Sequence, residues 1–276
     1  MMESIEKASV VQPPSRIWRG LATRREILMK NRTAIVMAAG KGTRMDSDLP
    51  KVLVPVCGRP MVEYVYDALR EAGVDRQIVV IGHRADLVRE QMAGRDDVVF
   101  VEQTEQLGTG HAVMMCREEL IGFDGPVLVV AGDSPLMQAD SISALFDGFD
   151  LDRPACILGT GYRDEPKGFG RIVRDQAGQF SEIVEQKDAT AAQLAIQEVN
   201  LSCYVFDCKD LLGALDSLGN TNAQNEYYIT DCPGILLAAG KDVVALDVLK
   251  PCESLSINTM EDLATVETEM SRMGSR

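Results

Sequence analysis

Four short apolar runs in the first half of the chain, residues 33–38, 77–81, 98–101 and 126–131, constrain the fold more than any other feature. Each is rich in Val and Ile at consecutive positions, so each predicts a strand that needs cover on both faces. Helical patterns lie between them at residues 61–72, 85–92 and 110–120. Strands apolar on both sides and joined by helices predict a parallel sheet with helices on each face. Right-handed crossovers then give a doubly wound, mostly parallel, Rossmann-like α/β fold whose ligands lie at the carboxyl ends of the strands.

After residue 150 the pattern turns β-rich. Residues 155–162, 170–174, 180–185 and 199–206 read as strands, with a turn at Asp175-Gln176-Ala177-Gly178. Such an insert is expected to fold over one edge of the first sheet and close a cleft. Helices at 209–218 and 228–239, a strand at 242–248 and a helix at 260–270 complete the chain. The expected organisation is an extension at 1–32 followed by one domain at 33–276. Within it, 33–150 form the first part, 151–258 the second part with the return to the sheet, and 259–276 a C-terminal helix.

Composition bounds the partners. With 276 residues, 46% of them hydrophobic, the chain can bury a full core without metals or disulfides. No apolar run approaches the roughly 18–20 residues that span a bilayer. The seven cysteines are odd in number and form no Cys-x-x-Cys pair, so reduced, mostly buried thiols and a cytoplasmic setting are expected. His83 and His111 are the only histidines, which argues against a zinc site. A net charge of −14 argues against nucleic acid but not against a nucleotide, which needs only a local cationic pocket and a metal ion. Residues 1–32 are net positive and lack the apolar core of a secretory signal. Its acidic residues and Pro13-Pro14 disfavour an organelle transit peptide, and two readings of this leader stand ahead of that one: a helix docking through Trp18, Leu21, Ile27 and Leu28, or a start at Met29.

The first strand runs into Ala38-Ala39-Gly40-Lys41-Gly42-Thr43-Arg44-Met45, followed by Pro50-Lys51. Small residues and two glycines let backbone N–H groups turn toward an anion, and Arg44 and Lys51 add charge for phosphate oxygens. A Walker A loop is absent. The dinucleotide fingerprint also fails, because Met45 stands where a small residue is needed and Gly82-His83-Arg84 where an acid is expected. A carboxylate, Asp133, ends the apolar strand at 126–131, where the switch-point rule places a ligand.

This loop, with Leu49-Pro50-Lys51-Val52-Leu53, resembles the sugar-1-phosphate nucleotidyltransferases, above all the uridyltransferase half of the bacterial bifunctional N-acetylglucosamine-1-phosphate uridyltransferase/glucosamine-1-phosphate acetyltransferases. The resemblance runs from about residue 33 to 262 and recurs in Glu105-Gln106-Leu107-Gly108-Thr109-Gly110, Gly132-Asp133-Ser134-Pro135 and Asn222-Ala223-Gln224-Asn225-Glu226-Tyr227-Tyr228. It implies transfer of a nucleotidyl group from UTP to a sugar 1-phosphate, giving a UDP-sugar and pyrophosphate with Mg²⁺ as cofactor. Arg44 and Lys51 would then be catalytic. Ala38, Ala39, Gly40, Gly42, Thr43, Gln103, Gly108 and Thr109 would hold the nucleotide, Gln103 offering its amide to the base. Asp133 and Asn258 would bind the metal, and Gly132, Gly170, Glu185 and Asn200 would line the sugar side. The 222–231 segment is expected around that side as architecture, and His111 as a structural hydrogen-bonding residue.

Three departures touch the sugar pocket and metal shell: Leu201-Ser202 where Thr-Gly is usual, Ala131 for a bulkier residue, and Ser256-Ile257 for Gly-Val. Another sugar phosphate, CTP or dTTP therefore stays open, as does a regulatory paralogue that binds UDP-sugars without turnover. No hexapeptide-repeat segment is present, so acetyltransferase activity is not expected. Oligomeric state is not legible.

Overall fold

The computed structural model describes residues 31–42, 45, 47–222 and 224–274. Thr43, Arg44 and both readings of the leader fall outside these residues. The described chain forms one unit, Asn31–Arg276 by its contacts, built on a nine-stranded sheet.

The first strand, β1 (Thr33–Met37), is followed by a 3₁₀ turn at Lys51–Leu53 and a small hairpin, β2 (Pro55–Val56) and β3 (Arg59–Pro60). Then come α1 (Met61–Glu71), β4 (Arg76–Ile81), α2 (Ala85–Gln91), β5 (Val98–Glu102), α3 (Thr109–Met114), α4 (Arg117–Leu120) and β6 (Pro126–Ala131). The second half runs α5 (Ala139–Asp152), β7 (Cys156–Tyr162), β8 (Arg171–Arg174), β9 (Phe180–Val184), α6 (Ala191–Leu194) and β10 (Glu198–Asp207). It ends with α7 (Cys208–Asp216), α8 (Cys232–Ala238), β11 (Val243–Asp247) and α9 (Met260–Met273).

The strand order is β11-β7-β10-β6-β1-β4-β5. All pairings along it are parallel except those of β10, which runs antiparallel to both β6 and β7. The doubly wound, mostly parallel expectation therefore holds, with one reversed strand near the middle. The insert departs from expectation. Residues 155–162 and 199–206 do not fold over an edge but enter the main sheet, and only the β8–β9 hairpin hangs from β10.

Alternation along β1 shows why the layers form. Ala34 and Val36 pack under α1 and α5, with Val65, Leu69, Ile142 and Phe146. Ile35 faces the opposite layer with Val113, Leu120, Leu211 and Leu236. Residues at 98–101 do not receive the two-sided cover expected of them, because β5 is the sheet edge and is only partly buried. The helix expected over 110–120 is divided. At Cys116 the backbone tightens to an i→i−3 bond onto Val113 before α4 begins. Helix α5 carries no expectation from sequence, since Ser141, Asp147, Gly148 and Asp150 interrupt its pattern. The helix read at 228–239 starts later, as a 3₁₀ turn at Ile229–Asp231 followed by α8. A third cluster packs α9 on the β2–β3 hairpin through Val56, Met61, Ile257, Leu263 and Val266. No helix among the described residues is long and apolar enough to cross a membrane.

Candidate active site

The carboxyl ends of the parallel strands are drawn together by backbone contacts that only small residues allow. Ala38 N–H donates to Val80 O at 2.8 Å and Gly132 N–H to Met37 O at 2.9 Å. A Cβ on Gly82 would stand 3.0 Å from Ala39 and from Gln103 O, and one on Gly132 would stand 3.1 Å from Met37 O. The loop after β1 leaves this point through Gly40, Lys41 and Gly42. Gly42 adopts a left-handed φ of 63°, and a Cβ there would lie 2.8 Å from Lys51 Cβ. A cleft of about 510 Å³ opens beside the loop, lined by Lys41, Gly42, Met45, Ser47, Asp48, His83 and Arg84. His83 and Arg84 lie on it, although nothing in the sequence marked either as a site residue.

Lys51 opens the 3₁₀ turn behind the loop, with its side chain largely buried. Its Nζ donates to Asp133 Oδ2 at 2.5 Å and to Asn258 Oδ1 at 2.9 Å. Asp133 follows β6, and Asn258 immediately precedes the N-cap of α9. Three segments far apart in sequence thus meet at one point beside the glycine loop. Asn258 N–H and Thr259 N–H both donate to Asp262 Oδ2, at 2.9 and 2.8 Å, and Ile257 is fully buried. The amide is therefore held from its backbone.

A carboxylate and an amide oxygen converging on one positive charge form a hard-oxygen donor pair suited to Mg²⁺. Among the described residues, no group of three or more His, Cys, Asp or Glu side chains is placed to hold a metal. A site with few protein ligands, completed by phosphate and water, is the kind Mg²⁺ uses.

On the far side of the loop, Gln103 is buried at the end of β5. Its Nε2 donates to Gly108 O at 3.1 Å and lies 3.1 Å from His111 Nδ1. Its N–H groups are thus engaged within the loop, and Oε1 is the half of the amide that can meet a ligand. His111 takes the structural hydrogen bond expected of it. Gly108, at φ 106°, passes so close to the 222–231 segment that a Cβ would stand 2.5 Å from Tyr227 O. Tyr227 N–H donates to Leu107 O at 2.8 Å, Gly110 N–H to Tyr227 O at 2.7 Å, and Ile229 N–H to Thr109 Oγ1 at 3.1 Å. The 222–231 segment is thus bonded to the Gly108-Thr109 loop, and its Tyr228 and Asp231 also lie within electrostatic reach of Glu185.

Gly170, Glu185 and Asn200 are brought together. A Cβ on Gly170 would stand 3.4 Å from Glu185 Oε1 and 3.7 Å from Asn200 Cβ, and Asn200 N–H donates to Gly170 O at 2.9 Å. The Glu185 carboxyl is raised above its ordinary range, first by desolvation and then by Asp188 and Asp231, with Lys187 opposing. Asn200 is buried and its Nδ2 donates to Tyr204 Oη at 2.8 Å. Ser202, one of the departures from the family pattern, takes a left-handed φ of 54° in a bulge where the β10–β7 register slips.

Residues 34–199 match the MobA-like NTP transferase domain family. The chain belongs to that family.

Curated relatives include bifunctional GlmU proteins. The chain is 46% identical over 239 residues to that of Streptococcus thermophilus and 44% over 244 residues to that of Listeria innocua. These matches cover 87% and 88% of this chain but 52% and 53% of the relatives. The chain thus spans about half the length of the curated relatives it matches. Among solved structures, a UDP-glucose pyrophosphorylase complexed with UDP-glucose superposes with a TM-score of 0.72 at 17% identity, covering 88% of this chain and 99% of that one. The apo form of such an enzyme gives 0.70 at 18%. At that identity the likeness is one of fold. The resemblance read from the sequence is borne out at the level of family and architecture.

Proposed function

We propose that the chain catalyses Mg²⁺-dependent transfer of UMP from UTP to a sugar 1-phosphate, with N-acetylglucosamine 1-phosphate as the preferred acceptor, releasing pyrophosphate and a UDP-sugar. The observation that carries this reading is the meeting of Lys51 with Asp133 and Asn258 beside a glycine loop at the carboxyl ends of the sheet. The half-length relatives support the same reading.

A sugar 1-phosphate has a second pKa of about 6, so it is largely dianionic at neutral pH and attacks the α-phosphorus without a side-chain base. The enzyme's task is then to align two polyanions and offset their charge. Gly40 and Gly42 leave room for main-chain N–H groups to approach the triphosphate. Lys51 carries a mobile positive charge to the α-phosphate, and Arg44 acts on the remaining phosphates. Asp133 and Asn258 hold the Mg²⁺, whose chemistry is to neutralise charge on the reacting phosphates. Gln103 presents Oε1 to the imide N–H of uracil, and Glu185 accepts a hydrogen bond from a sugar hydroxyl.

Pyrophosphate release measured over a panel of triphosphates and sugar 1-phosphates tests the proposal. UTP with N-acetylglucosamine 1-phosphate should be the fastest pair. Lys51→Ala and Asp133→Ala should each lower kcat by about 100-fold or more in folded protein, the usual cost of one electrostatic contact at a transferring group. UDP-sugar binding with no pyrophosphate release from any pair would leave a binding protein and end the enzyme reading.

A further inference from the structure

Glu253 is a carboxylate buried to 5% exposure in a protein whose other acids are mostly at the surface, and the chemistry above makes no use of it. Burial raises its carboxyl above the ordinary range, opposed by the hydrogen bonds it accepts. Those bonds come from two limbs of the chain. Oε1 accepts from Gln138 N–H at 2.9 Å, and Oε2 accepts from the Ser141 hydroxyl at 2.6 Å and from Lys250 N–H at 2.7 Å. Gln138 is the N-cap of α5 and ends the loop that carries Asp133. Lys250 opens the 3₁₀ turn Pro251–Ser254, whose continuation carries Asn258. An Asp140–Lys250 ion pair at 2.5 Å bridges the same two limbs at the surface.

We propose that Glu253 is a positioning residue that sets the distance between Asp133 and Asn258 and so the affinity of the site for its divalent ion. The inference rests on reading those two residues as the metal ligands. Groups that orient metal ligands from behind commonly change metal affinity by about 10–100-fold when removed.

Glu253→Gln is the informative variant. It keeps the volume, but an amide cannot accept through its nitrogen. If that nitrogen faces Gln138 N–H, the Asp133 limb keeps only the Ser141 bond to residue 253. If it faces Lys250 N–H, the turn that leads to Asn258 loses its capping bond, because only the Ser141 hydroxyl can turn to accept.

The experiment is Mn²⁺ binding to the whole chain, without substrates, followed by the EPR signal of free Mn²⁺. Beside it, the Mg²⁺ dependence of pyrophosphate release and Tm are recorded. Glu253→Gln should bind Mn²⁺ about tenfold more weakly, and its half-saturating Mg²⁺ should rise by a similar factor, with turnover recovering as Mg²⁺ is raised. Wild-type Mn²⁺ affinity in folded Glu253→Gln, even with a lower Tm, overturns the proposal and leaves a purely structural residue. Asp133→Ala is the reference. If it too binds Mn²⁺ like the wild type, the metal reading itself fails and takes this inference with it. Should Glu253→Gln not fold, Ser141→Ala removes one donor and leaves the carboxylate in place. Weakened Mn²⁺ binding then supports the role, and unchanged binding overturns it.

Discussion

Gly42 and Lys51 belong together at the level of single residues. The glycine is where it is because its φ of 63° and the 2.8 Å approach of Lys51 Cβ leave no room for a side chain. A side chain at 42 would therefore displace the cation as well as the loop. Glu185 shows the opposite economy: its site disfavours the charge that the proposed sugar contact needs. Because its folded pKa is raised above the unfolded value, the ionised carboxylate destabilises the fold above that raised pKa, and the cost vanishes below the unfolded pKa, where both states are protonated. Glu185→Gln should accordingly raise Tm at pH 8 and leave it unchanged in acid below the ordinary carboxylate range. The same variant should raise KM for the sugar phosphate about tenfold, the scale of losing a hydrogen bond to a charged group. Thermal melts across pH and initial rates against sugar phosphate check the two halves. A KM unmoved by the substitution removes Glu185 from the sugar site.

At the scale of elements, two segments that look like connections do the positioning. The 222–231 segment is stiffened by Asn222, whose Oδ1 accepts from Gln224 N–H and Glu226 N–H at 3.2 Å each, and it then bonds to the loop over Gln103. Helix α9 starts where Asn258 must be held. Its capping box joins the Thr259 hydroxyl to Asp262 N–H at 3.2 Å, while Asp262 receives Asn258 N–H and Thr259 N–H in return. Thr259→Ala should cost about 1 kcal/mol, the typical value of an N-cap side chain. For a unit of this size that is a Tm lower by about 2–4 °C, measured by calorimetry or circular dichroism. A Tm equal to the wild type would mean that packing of Ile257, Leu263 and Val266 on the β2–β3 hairpin holds the helix start without the cap.

For the molecule as a whole, a strongly acidic chain places Lys41 and Arg84 on one cleft beside the strand ends, with Lys51 in the turn behind the loop. The sheet that gathers them also hides the thiols. Cys116, Cys156, Cys203, Cys208 and Cys232 are buried, Cys252 is half-buried and Cys57 is exposed, all of them free. Burial pushes Cys116 and Cys232 up to about 12 and Cys208 to about 11, so they hold almost no thiolate at neutral pH. A disulfide reagent should therefore react quickly with Cys57, slowly with Cys252, and with the other five only after denaturation, as read by absorbance of the released thiolate. Rapid reaction of most thiols in native protein would contradict this packing. By itself, the sequence determined what local periodicity and local chemistry carry: the strands of the first half, the helices between them, and a glycine loop with a following lysine, the pattern from which the proposed phosphate site is read. It left out α5, whose polar interruptions hide its buried face, and the reversal of β10, which depends on which neighbours cover a strand rather than on its own pattern. That Asp133 and Asn258 meet was expected only through the family resemblance; the tertiary structure brings Lys51 to the same point and shows Glu253 tying the limbs behind the other two. Contacts between residues as much as 207 positions apart follow from how the whole core closes, and no stretch of chain encodes that by its own spacing.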